Sequence, residues 1–402
     1  VLSLKLLEIR AADTLATHQS AWQALASAAV EPNAFYEPGL LLPALRHLAK
    51  PGEIQVLLLF AGDDPSTLCG LFPIHRRRLS GVLGLTVAQL WKHQQAFFTA
   101  PLLQPGFEMA CWKAVFEWLR SARSGSSLLE LTWFPGDGPA YHSLMDYLET
   151  ARRPRFVREQ QTRAVLRPGL CPKQYLESAV SSSRRKKLRR LERELRTCGS
   201  VEFRALQPSD DVAAWVDRFL AMEALGWKGQ AGTALACCPD EREFFLAAAA
   251  SMFAQGRFRM LSAELDGRPI AMQCDFLTGD GGFSYKIAFD ETYARYSPGM
   301  LLELENIRRA HDEPRLRWLD SCNAAGPSPL KQMWREERVI VELFAATGRP
   351  QGNLAVSLMP LARTAKRSLR AAWGRLRSCF VRQPPAAGDS SEPLSSSHRN
   401  GL

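Results

Sequence analysis

Cysteine pairs at metal-binding spacing are missing from this chain. Its nine cysteines (Cys69, Cys111, Cys171, Cys198, Cys237, Cys238, Cys274, Cys322 and Cys379) are scattered, odd in number and never form Cys-x-x-Cys. That pattern argues against a zinc ribbon and against a disulfide framework. Reduced thiols in a cytoplasmic setting are the simplest expectation. The seven histidines do not cluster, so no metal site is expected. No stretch approaches twenty uninterrupted apolar residues, so no transmembrane helix is expected. The opening VLSLKLLEIRAADTLATHQS lacks a basic segment, an apolar block and a small-residue cleavage site in that order, so no signal peptide is expected. No repeat is visible at solenoid periods.

What is present is globular material with a basic bias. With 402 residues the chain is too long for one ordinary core, and two domains plus a tail are expected. The net charge of +10 favours an anionic partner: a nucleotide, RNA or an acidic membrane. The excess is local. Residues 184–196, RRKKLRRLERELR, carry eight basic groups against two acidic ones, and residues 363–382 carry seven against none.

The first half reads as a helix (TLATHQSAWQALASAA), an aromatic turn before a helix (NAFYEPGLLLPALRHLA), and two antiparallel strands (EIQVLLLFAG, TLCGLFPIHRRRL) joined by a DDPS turn. A helix, a strand, a helix and a strand at TRAVLRP follow. The second half opens with two helices, the longer one stopping at Gly199. It then reads β-α-α-β-β-β-α-β-α-β. Asp-Gly and Gly-Asp-Gly-Gly turns join the three-strand meander, and Ser-Pro-Gly opens the helix after it. This is neither a doubly wound nor a TIM-barrel order. The end, QPPAAGDSSEPLSSSHRNGL, has the composition of a disordered tail.

The segments SSSRRKKLRRLERELRTCGSVEFR, FLAMEALGWKG, RFRMLSAELDGRPIAMQCDF, YKIAFDETYARYSPGMLLELENI and WLDSCNAAGPSPLKQMW resemble a GNAT-type acyltransferase domain. The likeness is to the FemAB-like and CelD-like branch, found beside bacterial exopolysaccharide genes. It spans about residues 170–345. NAFYEPGLL and GLFPIHRRRL are similar to the companion domain of that branch. The implied fold is α/β (α+β): a tandem of two GNAT-like domains, each a mixed, mainly antiparallel sheet flanked by helices. The implied boundaries are 1–169, 170–350, a basic amphipathic helix at 351–382 and a disordered tail at 383–402.

The implied activity is transfer of an acyl group from a thioester to an amine or hydroxyl. A donor must be held, its carbonyl polarised and the acceptor deprotonated. For the donor, acyl-CoA or acetyl-CoA, the site would be Arg295, Tyr296, Ser297, Pro298, Gly299 and Met300. Here Ser297 is an N-cap, Pro298 suits the first helical position and Gly299 permits close approach of a ligand. The family's loop is Gln/Arg-x-x-Gly-x-Gly/Ala. This chain has one glycine in place of two small residues, and Pro298 removes an N–H. Tyr285 and Lys286, on opposite faces of a splaying strand, and the acids Asp320 and Glu223 are the catalytic candidates. Trp227, Lys228, Lys331 and Tyr36 are acceptor-side candidates, with His93 and Gln94 beside Tyr36. Each has a plainer reading: a packed aromatic, a solvated lysine, a capping aspartate or an ordinary helix acid.

The acceptor would be a small molecule or an envelope or polysaccharide precursor, lying between the halves. An acyl carrier protein is an alternative donor, and aminoacyl-tRNA is the Fem-type one. A non-catalytic assembly protein of exopolysaccharide biosynthesis is the reading from another class. Residues 361–382 place Leu369, Trp373, Leu376 and Phe380 opposite arginines. This fits either a peripheral contact with the inner membrane face or a docked terminal helix. Residues 184–196 fit a solvated face packed through Leu188, Leu191 and Leu195, or a wall for an anionic donor. Without interleaved aromatics or a helix-turn-helix pattern, specific DNA binding is not expected.

Overall fold

The computed structural model describes residues 3–62, 66–79, 84–169, 171–323, 326 and 328–380. Part of the expected DDPS turn and the whole expected tail at 383–402 lie outside these. The chain divides into two compact units, Val1–Ser357 and Leu358–Leu402, and the first holds the whole sheet.

The first half contains β1 (Leu4–Ile9), α1 (Ala12–Ala16), α2 (Gln19–Ala28), α3 (Pro38–His47), β2 (Ile54–Ala61), β3 (Leu68–Arg78), β4 (Thr86–Leu90), β5 (Leu102–Leu103), α4 (Glu108–Arg120), β6 (Leu128–Pro135), α5 (Pro139–Thr150) and β7 (Arg155–Leu166). The second contains α6 (Pro172–Ala179), α7 (Ser182–Arg196), β8 (Val201–Ala205), α8 (Val212–Leu225), α9 (Trp227–Gln230), α10 (Pro239–Ala254), β9 (Phe258–Leu265), β10 (Arg268–Thr278), β11 (Gly281–Phe289), α11 (Pro298–Asp312), β12 (Trp318–Asp320), β13 (Glu336–Ala346) and α12 (Pro350–Phe380). The expected single helix at 14–29 is two, because the Thr17 hydroxyl donates to the Thr14 carbonyl (2.7 Å) and closes α1. The short helix expected at SPLKQMWREE is one 3-10 turn, Leu330–Gln332.

Among the described residues the strands form one sheet, ordered β1-β2-β3-β4-β6-β13-β7-β12-β11-β10-β9-β8, with β5 beside β3. Its two halves repeat one pattern. Antiparallel β1-β2-β3-β4 ends in a parallel pair with β6, and antiparallel β8-β9-β10-β11 ends in a parallel pair with β12. The last strand of each half is exchanged: β7 pairs with β12, and β13 pairs with β6. The two exchanged strands also pair with each other, from Glu336↔Val165 to Ala345↔Arg155. The expected boundary at 169/170 thus falls between elements of a continuous sheet. This is a tandem GNAT-like α/β architecture.

Local chemistry fixes the elements around the cleft. Asp211 caps α8, accepting from the Ala213 and Ala214 N–H groups. On α7, Leu188, Leu191 and Leu195 are buried while the arginines between them face out. Each such leucine contributes about 2 kcal/mol of apolar burial. Gly281 lies flat against Trp318, where a Cβ would sit 2.0 Å from the indole, so only glycine lets β11 and β12 approach.

Candidate active site

The parallel pairing of β11 with β12 is confined to residues 281–283 against 318–320. Beyond it the strands part. Residues 284–287 form one wall of the opening and residues 321–323 the other, enclosing a cleft of about 510 Å³. The start of α11, from Ser297 to Glu303, also lines it, as do Trp227 and Lys228 of α9 and Phe97 of the first half. The walls are mostly apolar with a few polar atoms, as small-molecule sites are.

Tyr285 and Lys286 both line the cleft, which corrects the expectation of opposite faces. The reason is a β-bulge. Asp275 pairs with Ser284 and Cys274 with Lys286, so Tyr285 is an extra residue and the alternation breaks. The Tyr285 hydroxyl is buried and donates to Gln95 Oε1 (3.1 Å), and burial pushes its acidity well out of the working range. Lys286 lies over the Tyr285 ring at 5.4 Å. Burial lowers its pKa, and Lys228 adds to the effect.

The helix start departs from the expected anion cradle. Ser297 stands at the N-cap position in the left-handed region (φ 53°, ψ 53°), and its hydroxyl makes no capping bond. Such a backbone costs about 1 kcal/mol or more at a non-glycine residue. Pro298 has no N–H, and the Met300 and Leu301 N–H groups already go to the Ser297 carbonyl (2.9 and 3.2 Å). The first turn is left with the Gly299 N–H to offer. Arg295 and Tyr296 are not part of the cleft wall. Arg295 stacks on the Tyr296 ring at 4.6 Å, and the Tyr296 hydroxyl meets Cys198 Sγ at 3.1 Å beyond the end of α7.

Asp320 is held in an ion-pair network. It is wholly buried, paired with Arg163 Nε (2.7 Å) and Arg338 Nη1 (3.1 Å), and it accepts the Cys322 N–H (2.9 Å). With both oxygens committed it holds β12 to β7 and β13. Glu223 is likewise tied down. It is buried and accepts from Lys228 Nζ and the Leu235 N–H, both at 2.9 Å. Lys228 is thereby fixed at the cleft edge, where Trp227 is 59% exposed. Lys331 turns away, to Thr162 Oγ1 (3.3 Å) and Glu337 (3.4 Å). Tyr36 is a core residue whose hydroxyl donates to the Trp91 carbonyl (2.9 Å). His93 packs between Trp91 and Phe244, and burial drops its pKa to about 3. Gln94 is exposed.

Three cleft groups were not among the sequence candidates. Glu303 is 2% exposed, yet lines the cleft. Its Oε1 accepts from Trp334 Nε1 (2.7 Å), and Asn306 Nδ2 approaches both carboxyl oxygens (3.3 and 3.4 Å). Burial raises its pKa to about 8, helped by Asp275 on β10 and opposed by these donors and by Arg259 on β9. Gln273 gives its amide N–H groups to Asp275 Oδ1 and Ser284 Oγ (both 3.2 Å), which leaves its buried Oε1 without a partner. Turning the amide over would set two oxygens against each other at Asp275, so Oε1 is the free atom. The Ser321 hydroxyl is buried and unpartnered too. The available signal was phase: Glu303 shares its helix face with Ile307 and Ala310, both fully buried, whereas Glu305 does not.

Among the described residues no group of three or more His, Cys, Asp or Glu could hold a metal ion, and no helix is long and apolar enough to cross a membrane. Residues 182–331 match the family model of the acetyltransferase (GNAT) domain. No curated protein matches the chain in sequence. Among solved structures it is similar to FemX (TM-score 0.56, 7% identity, covering 85% of this chain and 96% of that one). It is also similar to the C-terminal domain of a protein assigned as a lysylphosphatidylglycerol synthetase from Agrobacterium fabrum (0.52, 13%, 85% and 95%). A third is a conserved protein of unknown function from Bacteroides thetaiotaomicron (0.51, 11%, 86% and 99%). At these identities the likeness is one of fold.

Proposed function

We propose that the protein is an N-acyltransferase that moves an acyl group from a thioester onto an amine in the cleft between β11 and β12. The observation that carries this reading is the parted strand pair with buried, unsatisfied polar atoms at its floor. Backbone N–H groups along the free edge of β11 can polarise a carbonyl, and the Lys286 ammonium adds positive charge where an oxyanion develops. The acceptor nitrogen attacks the thioester carbon, the C–S bond breaks and the thiolate leaves. Glu303, in its ionised form, takes the proton the nitrogen gives up. The acceptor enters past Trp227 and Lys228. The exposed indole is an apolar platform suited to a sugar precursor of the envelope or of a polysaccharide.

An aminoacyl-tRNA donor is the second reading. The observation favouring it is the first turn of α11: with Pro298 and the inward bonds of Met300 and Leu301, little N–H remains for a pyrophosphate. Calorimetry separates the two. Acetyl-CoA and a long-chain acyl-CoA are titrated into the full chain and into Gly299→Trp. Micromolar binding that the variant loses supports the thioester reading. No binding to folded wild type removes coenzyme A and leaves an acyl carrier protein, aminoacyl-tRNA or a non-catalytic assembly role.

A further inference from the structure

A second concave site lies away from the cleft, between α6, α7 and α11. It is a groove of about 610 Å³, floored by Leu176 and Leu304. Arg185, Arg189, Arg308 and Lys173 line it, with Glu177 and Asp312 as the acids. Arg308 already leans on Glu305 at 3.4 Å. Arg185 differs. Its Nε and Nη1 are shielded from solvent and have no hydrogen-bond partner among the described residues, and neither acid of the groove forms an ion pair with it. Buried guanidinium N–H groups are rarely left unmet, because each has given up its water. The leucine stripe of α7 fixes this outcome, since burying Leu188, Leu191 and Leu195 sets the helix rotation that turns Arg185 into the groove.

We propose that this groove binds the phosphate group of a small phosphorylated ligand, with Arg185 as its central contact and Arg189, Arg308 and Lys173 around it. At the head of the Arg185 guanidinium the Nη1 and Nη2 N–H groups point in parallel, spaced for two oxygens of one phosphate, a match no lone ammonium provides. Four cations against two carboxylates leave the groove positive. Its volume is that of a small-molecule site. Among the described residues no aromatic lines it, so it reads phosphate and not a stacked base, which sets it apart from a nucleic-acid track. The site is independent of the acyl-transfer reading, and either can fail alone.

The test titrates inorganic phosphate and pyrophosphate into the full chain by calorimetry at two salt concentrations. Arg185→Met, Arg189→Met and Gly299→Trp are measured beside wild type, and thermal melts confirm that each is folded. The expected result is pyrophosphate binding stronger than phosphate, weakened at least tenfold in Arg185→Met and several-fold in Arg189→Met, and unchanged in Gly299→Trp. Should Arg185→Met unfold, the exposed Arg189→Met decides alone. Binding lost in Gly299→Trp but kept in the arginine variants would assign the anion to the start of α11 and overturn the proposal. So would a chain that binds neither anion, or one that binds a tRNA transcript but not pyrophosphate.

Discussion

The two halves of the sheet carry the same parallel strand pair and treat it in opposite ways. In the second half, β11 and β12 part over an open cleft. In the first half, β4 and β6 pair over residues 87–89 and 128–130, and the chain's own segment then runs across the end of β6. Thr99 donates its N–H to the Trp133 carbonyl (3.3 Å) and its hydroxyl to the Thr132 carbonyl (2.6 Å), while Asn33 Nδ2 donates to the Ala100 carbonyl (2.8 Å). Phe98 and Ala100 are fully buried there. One topology thus yields a ligand-sized opening in one half and a self-filled core in the other. A strand pair that splays leaves backbone groups which must be met, by a ligand or by the chain itself.

The junction between the halves gives the largest expected effect. Asp320 sits between Arg163 and Arg338, on β12, where the two halves of the sheet meet. Asp320→Ala would leave two buried guanidinium groups without their counter-charge, and a loss of about 3–5 kcal/mol in urea unfolding is expected. A variant of unchanged stability but lost turnover would return Asp320 to the chemistry and break the division between structural and reactive acids.

Glu303 sharpens the contrast on the open side. Its pKa is raised from 4.5 to about 8, so the folded protein holds a proton that the unfolded chain releases. Stability from this group is complete below about pH 4.5 and falls by a few kcal/mol as pH rises through 8. Activity runs the other way, since the ionised form takes the acceptor's proton, and kcat/KM should climb through about pH 8. Glu303→Gln should flatten both profiles and lower kcat by about 10²–10³. A variant that flattens the stability profile yet keeps the alkaline rise in rate would make Glu303 a packing residue only.

The contrast between the halves was partly legible in the sequence. Apolar and aromatic segments joined by Gly-containing turns placed the meander, and Ser-Pro-Gly placed the start of α11. What escaped is non-local. The partners of Asp320 come from β7 and β13, and local text cannot show that these strands exchange halves. The bulge at Tyr285 depends on register against β10, so two neighbouring residues could not be seen to share a wall. Glu303 acquires its raised pKa from burial, and its hydrogen-bond partner Trp334 comes from the segment just before β13. Lys331, an acceptor-side candidate in the sequence, is turned toward Thr162 and Glu337.

The filled side predicts smaller effects. Thr99→Val keeps the shape and removes one buried hydroxyl donor, leaving the Thr132 carbonyl short of a partner. A loss of about 1–2 kcal/mol is expected, with acetyl-CoA affinity unchanged. A weakened donor affinity without a stability change would mean that the first-half plug shapes the cleft, which its neighbour Phe97 does line.

The smallest effect is expected at Tyr36. Its hydroxyl donates to the carbonyl of Trp91, the residue that follows β4 into the plug, and the ring is 1% exposed. Tyr36→Phe preserves the ring and deletes that bond, so stability should fall by about 1 kcal/mol while donor binding and KM for any acceptor stay as they were. The group left short is the carbonyl of Trp91, which lies in the first half. A raised KM with unchanged stability would mean instead that Tyr36 reaches an acceptor when one is bound. Tyr36 would then join Phe97 on a first-half wall of the site, and the division into one open and one self-filled strand pair would fail at a core aromatic.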